Sequence, residues 1–150
     1  MKRILVGIDG SRESINALKY AARMAKLTGA DILGVNVINE PSYREYYRDL
    51  SGKLKADAEG ILKKATAEVE KEGVGIKTQV EVGAPDDVLA ELAKNGNNVV
   101  MLVVGASGRG RGSRVFAGSM THALLNHIAA GLQCPLVVVP GNSEDFLRKL

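Results

Sequence analysis

The chain has 150 residues, 45% of them hydrophobic and 25% charged, which is the composition and size of one ordinary globular domain. A formal net charge of +3 is too small to imply nucleic acid by itself, and a lone cysteine, Cys134, excludes an internal disulfide and fits a reducing compartment. No apolar run approaches the roughly 20 residues needed to span a bilayer, and Met1-Lys2-Arg3 leads straight into a strand-like run rather than a signal-peptide core, so a cytoplasmic protein is expected.

Residues 4–8 are a short apolar run, read as the first strand. Asp9-Gly10-Ser11 ends it, and Ser11 can cap the helix that follows. Ile15, Leu18, Ala22 and Ala25 recur at helical spacing, and Gly29 closes that helix. Residues 31–38 are a second strand. Residues 39–50 are polar and tyrosine-rich, with Pro41 breaking any regular element. A longer helix is expected over 51–71, with Leu54, Ala58, Ile61, Leu62, Ala65 and Val69 on its apolar face. Residues 76–82 alternate, with Ile76, Val80 and Val82 against Lys77, Gln79 and Glu81, as a strand with one wet face does. Pro85 suits the first turn of a short helix reaching Lys94. Residues 99–104 are wholly apolar. A glycine-rich loop comes next, then a helix over 119–130 and a last strand over 136–139. The tail from Gly141 reads as a surface extension or a fraying helix.

Strict alternation of strand and helix means parallel strands joined by right-handed crossovers, with helices on both faces. The strands at 4–8 and 99–104 are apolar throughout and belong in the centre, and the alternating strand belongs at an edge. A single α/β domain, doubly wound on a five-stranded parallel sheet of order 3-2-1-4-5, satisfies both. Residues 136–139 would then be an edge that is apolar throughout. Exposed apolar edges invite pairing, so a homodimer through this strand is expected, with coverage by the tail as the alternative.

In an open sheet of this kind, ligands bind beyond the carboxyl ends of the strands where the order reverses, here between strands one and four. Strand one ends at Asp9 and strand four at Gly105. The 105–119 loop holds five glycines and runs into a helix start at Gly118-Ser119. Glycines let backbone amides approach a ligand, and a helix start offers unpaired N–H groups and partial positive charge. Arg109, Arg111 and Arg114 add positive charge, so the segment suits a polyphosphate. There is no Gly-Lys-Ser/Thr and no G-x-G-x-x-G after the first strand, which excludes the two commoner phosphate motifs.

Gly105, Gly108, Gly118 and Ser119 fall at the spacing Gly-x2-Gly-x9-Gly-Ser. With Asp9-Gly10-Ser11 after the first strand and Cys134-Pro135 before the last, this resembles the nucleotide-binding members of the universal stress protein family over nearly the whole chain. The resemblance implies an ATP-binding regulatory or stress-response protein. Gly105, Gly108, Gly118 and Ser119 would hold the phosphates, with Thr121 also in reach. Asp9 would hydrogen-bond the ribose or adenine, and Val37 would lie against the adenine. Mg²⁺ would bridge the phosphates, and the dimer would pair through the last strand. Asn97-Asn98 stand where family members often carry an acid.

Asp9 is the only carboxylate expected near the phosphates, and no histidine maps there, so slow ATP hydrolysis or other nucleotide processing is the alternative and no catalytic residue is assigned. A flavin-binding electron carrier on a related architecture is a further alternative. His122 and His127 do not share a helix face and have no acid or cysteine at ligand spacing along the chain, so no metal site is assigned. Cys134, at a strand entrance, reads as a buried structural thiol. Tyr43, Tyr46 and Tyr47 follow strand two and could cover the base or meet a second subunit. The Arg-Gly run is too short for an RNA-binding tract and has no interleaved aromatic, so nucleic acid is not expected.

Overall fold

The computed structural model describes residues 1–39, 47–94, 96–106 and 119–150, with backbone alone for 47–51 and for 119. The elements run β1 (Arg3–Gly7), α1 (Arg12–Thr28), β2 (Asp31–Asn39), α2 (Tyr47–Glu70), β3 (Ile76–Gly83), α3 (Pro85–Lys94), β4 (Val99–Gly105), α4 (Ser119–Ala129), β5 (Leu136–Val139) and α5 (Glu144–Arg148). The five strands form one parallel sheet in the order β3-β2-β1-β4-β5. This is the doubly wound α/β order expected from strand composition.

The alternation of side chains along each strand divides the core in two. Ile4, Val6 and Ile8 point to one face and pack with Ala17, Leu18 and Ala21 of α1 and with Leu62 and Val69 of α2. Leu5, Leu33 and Val35 point to the other and pack with Leu89 of α3 and Leu124 of α4. β1 is covered on both sides, so Ile4, Leu5 and Val6 are fully buried. Full burial of each such side chain is worth about 1.5–3 kcal/mol. The central position of β1 follows from the run Ile4-Leu5-Val6, in which no polar residue could tolerate an open face.

The two edges differ from the centre and from each other. On β3, Gln79 and Glu81 are half-buried on one face, and the Gln79 amide donates to Glu81 Oε1 at 2.8 Å. The expected dry side is incomplete, because Val82 near the end of the strand is exposed. On β5, Val139 is buried but Val138 is 36% exposed.

Two expectations change. α2 begins at Tyr47, four residues earlier than its apolar periodicity suggests. The tail lies at the surface as expected, but its short helix does not fray, because it is fixed across α1. Asn16 Nδ2 donates to the Gly141 carbonyl, Arg23 donates to the Leu147 carbonyl, Tyr20 stacks on Phe146, and Leu147 is buried. The tail therefore covers α1, and among the described residues no strand lies beyond β5. No helix among the described residues is long and apolar enough to cross a membrane.

Candidate functional site at the carboxyl ends of β1 and β4

β1 and β4 are neighbours, and the helices that follow them go to opposite faces of the sheet. Their carboxyl ends flank the point where the strand order reverses, which is where such sheets open a crevice.

The β1 side is a turn that holds itself. Asp9 Oδ1 accepts the Ser11 amide at 2.9 Å. Ser11 Oγ caps α1 by accepting the Ser14 amide at 3.2 Å. Ser14, which is buried, donates its hydroxyl to the Ser11 carbonyl at 3.0 Å and accepts the Asp9 amide at 3.3 Å. Gly10 has φ +83°, a backbone conformation that favours glycine, and a Cβ there would press on the Ile61 side chain at 3.2 Å. One further group steadies the turn. Asn36, buried in the otherwise apolar β2, donates its side-chain amide to the Ile8 carbonyl at 2.7 Å. Ile8 in turn donates its amide to the Val35 carbonyl. The sequence reading passed over Asn36. Its signal is a lone amide side chain inside an apolar strand, where an unpartnered polar group would be costly.

The β4 side begins with Gly105, which pairs with Val139. A Cβ on Gly105 would lie 2.7 Å from the carbonyl carbon and the Cβ of Glu13. The first turn of α1 therefore rests directly on Gly105, and this glycine is required by packing. Ala106 then donates its amide to the Val139 carbonyl. Glu13 is a second acid beside the β4 end, where only Asp9 was expected, and its carboxylate lies next to Gly141.

Val37 is half-buried against the α3/α4 side of the core, two residues beyond the Val35 that pairs with Gly7. It lies at the level of the Asp9 turn. Ser119 is the first residue of α4, and Thr121, in the first turn, is buried. Gly108 and Gly118 lie outside the described residues, as do Tyr43, Tyr46, Arg109, Arg111 and Arg114 and the side chains of Ser119 and Tyr47. The described part thus brings Asp9, Ser11 and Gly105 to adjacent strand ends, with Val37 one strand further along.

Cys134 is buried, as expected, and its thiol faces the Pro135 carbonyl at 3.7 Å. Burial pushes its pKa up, only partly offset by a hydrogen bond with the Leu102 backbone, so it is no thiolate nucleophile at neutral pH.

The family model for the universal stress protein family matches residues 1–140. A putative universal stress protein of Staphylococcus haemolyticus is 28% identical over 151 aligned positions, covering 97% of this chain and 89% of that protein. Among solved structures, universal stress protein UspA from Lactobacillus plantarum aligns with a TM-score of 0.79 at 23% identity, covering 92% of this chain and 97% of that one. The universal stress protein from Archaeoglobus fulgidus in complex with dAMP aligns with a TM-score of 0.68 at 18% identity, covering 93% and 98%. A family protein from Arabidopsis thaliana with AMP bound aligns with a TM-score of 0.65 at 17% identity, covering 97% and 95%. At these identities the solved structures share the fold. With the family model spanning nearly all of the sheet and its helices, this chain belongs to the universal stress protein family.

Proposed function

We propose that residues 1–150 act as one nucleotide-binding domain that holds ATP between the Asp9 turn and the 105–119 segment, and that the protein is a regulatory or stress-response module. The observation that carries this reading is the side-by-side placement of the Asp9–Ser11 turn and Gly105 at the reversal of strand order. The glycine spacing starts at that same Gly105. The family structures with dAMP and AMP bound support an adenine nucleotide as the ligand class.

In this reading Gly108, Gly118 and Ser119 meet the phosphates at the start of α4, where amides without helical partners favour anions. Asp9 takes a hydroxyl or amino hydrogen of the nucleoside, and Val37 offers the base an apolar surface. Mg²⁺ fits this donor set, because it is a hard cation held mostly by phosphate oxygens, water and one or two protein oxygens. The Ser119 hydroxyl is the protein oxygen in question, and the ion would neutralise phosphate charge. The proposed role is retention of the nucleotide rather than rapid turnover. The Asp9 carboxylate takes part in its own turn, and that of Glu13 lies beside Gly141.

The apolar β5 edge supports a homodimer paired through Leu136–Val139, and the lone cysteine fits a cytoplasmic location. Val138→Lys is expected to convert a dimer to a monomer in sedimentation at micromolar concentration. A monomeric wild type would remove this part of the reading. For the ligand, the purified protein is denatured and the released small molecules are identified by chromatography and mass. An adenine nucleotide at near-stoichiometric yield is expected, or stabilisation on added ATP if the protein purifies empty. A yellow protein releasing flavin, or no response to any adenine nucleotide, would overturn the proposal.

A further inference from the structure

Away from the β1–β4 crevice, the fold gathers a second set of ligating side chains. His127, in the last turn of α4, places Nε2 3.1 Å from Asp86 Oδ2 and 3.0 Å from Asp87 Oδ1. Both acids belong to the first turn of α3, about 40 positions earlier in the chain. One donor atom from each of the three lies within 4.8 Å of the others. Spacing along the sequence had offered His127 no acid, and the packing of α3 on α4 supplies two.

The arrangement has more acceptor than a proton can serve. An imidazole Nε2 carries at most one hydrogen, yet two carboxylate oxygens face it at equal range. Two carboxylates also carry one more charge than an imidazolium would offset. A divalent cation satisfies all three groups at once. Around a four-coordinate Zn²⁺ with bonds of about 2.0–2.1 Å, neighbouring ligand atoms stand roughly 3.3 Å apart. The two nitrogen–oxygen separations are already within a few tenths of an ångström of that figure.

The surroundings are compatible with such an ion. The side chains of His127 and Asp86 are about three-quarters buried, whereas that of Asp87 is 70% exposed, which leaves one side open for a water ligand. The site is also seated before any metal arrives, because Leu89 of α3 and Leu124 of α4 are buried in the same half of the core. The helix dipoles oppose each other here. The start of α3 disfavours a cation and the end of α4 favours one, and the two effects are of similar size. One nitrogen and two oxygens suit a borderline first-row ion better than Mg²⁺.

We propose that Asp86, Asp87 and His127 bind one divalent transition-metal ion of the Zn²⁺ type, which clamps the start of α3 to the end of α4. This site is separate from the Mg²⁺ expected with the nucleotide, and it stands whether or not the chain binds ATP.

The test is a calorimetric titration of Zn²⁺ into the full-length, chelator-treated protein without nucleotide, repeated with Co²⁺ while its visible spectrum is followed. One equivalent is expected to bind, to raise the melting temperature and to give the absorption bands of low-coordinate Co²⁺. His127→Ala is expected to weaken binding by more than about tenfold, as is the double change Asp86→Asn with Asp87→Asn. His122→Ala should leave binding unchanged. Circular dichroism checks that each variant is folded, and the two independent routes of ligand removal guard against a folding defect in either. The proposal is overturned if the wild type takes up no stoichiometric Zn²⁺, if a folded His127→Ala binds as the wild type does, or if only His122→Ala loses binding.

Discussion

The ends of β1 and β4 face the same space but are built in different ways. The β1 end is polar and supports itself. Asp9, Ser11 and Ser14 bind one another's backbone, and Asn36 ties the strand end from β2. The β4 end starts with a glycine that has no side chain because α1 leaves no room for one. In the proposed function, residues sharing one spacing do not share one reason. Gly105 has a complete explanation in the fold, as the place where the first turn of α1 crosses β4. In the proposed function, Gly108 and Gly118 owe their identity to the ligand. In the same reading Asp9 belongs to both classes.

That division can be broken by mutation, and the largest effect is expected at Gly105. Gly105→Ala puts a Cβ 2.7 Å from the Glu13 backbone, where nothing flexible can yield. A loss of about 3 kcal/mol or more is expected from denaturant unfolding. A variant as stable as the wild type would remove the packing explanation. Asn36→Ala comes next. It leaves the buried Ile8 carbonyl without its side-chain donor, and a cost of about 2 kcal/mol is expected.

Asp9 separates the two roles. Asp9→Ala removes the acceptor for the Ser11 amide and is expected to cost about 1 kcal/mol while also weakening ATP binding. Asp9→Asn keeps an oxygen for the turn. It should recover most of the stability, and its remaining binding defect then measures the carboxylate's part in the ligand contact. Equal stability losses in the two variants would contradict the turn assignment.

The smallest effect is expected far from the ligand, where the tail meets α1. Arg12 Nη2 donates to Glu144 Oε1 at 2.7 Å and holds the Glu144 carboxyl below its ordinary range. A carboxyl with a depressed pKa in the folded state adds stability above its unfolded pKa and loses it as pH falls through the folded value. Glu144 is an exposed residue, so the contribution is screened and small. The protection factors of the tail amides, corrected for the intrinsic pH dependence of exchange, should fall modestly on acidification, and Arg12→Ala should abolish that fall.

Much of this architecture is legible in the sequence. The order of the strands follows from which runs are apolar on both faces, and the cap at Ser11 from residue type. What was not legible depends on tertiary contact. Tyr47-Arg48-Asp49-Leu50 carries little apolar periodicity, so the start of α2 could not be read from it. α5 has five residues, too few for a periodic signal, and is held by Tyr20, Arg23 and the burial of Leu147. The partners of His127 lie about 40 positions away, beyond any local spacing rule. At the candidate site, the residue types of Asp9 and Gly105 were visible, but the packing reason for Gly105 needed the path of α1. Asn36 was visible as an oddity and passed over.

Gly118→Val is the sharpest probe of nucleotide binding by the 105–119 segment. Melting is followed with increasing ATP and Mg²⁺ for the wild type and the variant. Equal stability is expected without ligand. Wild-type stabilisation of about 2.7 kcal/mol is expected at a hundredfold excess over Kd, and none for Gly118→Val. A folded Gly118→Val protein that ATP stabilises as much as the wild type would contradict nucleotide binding by this segment.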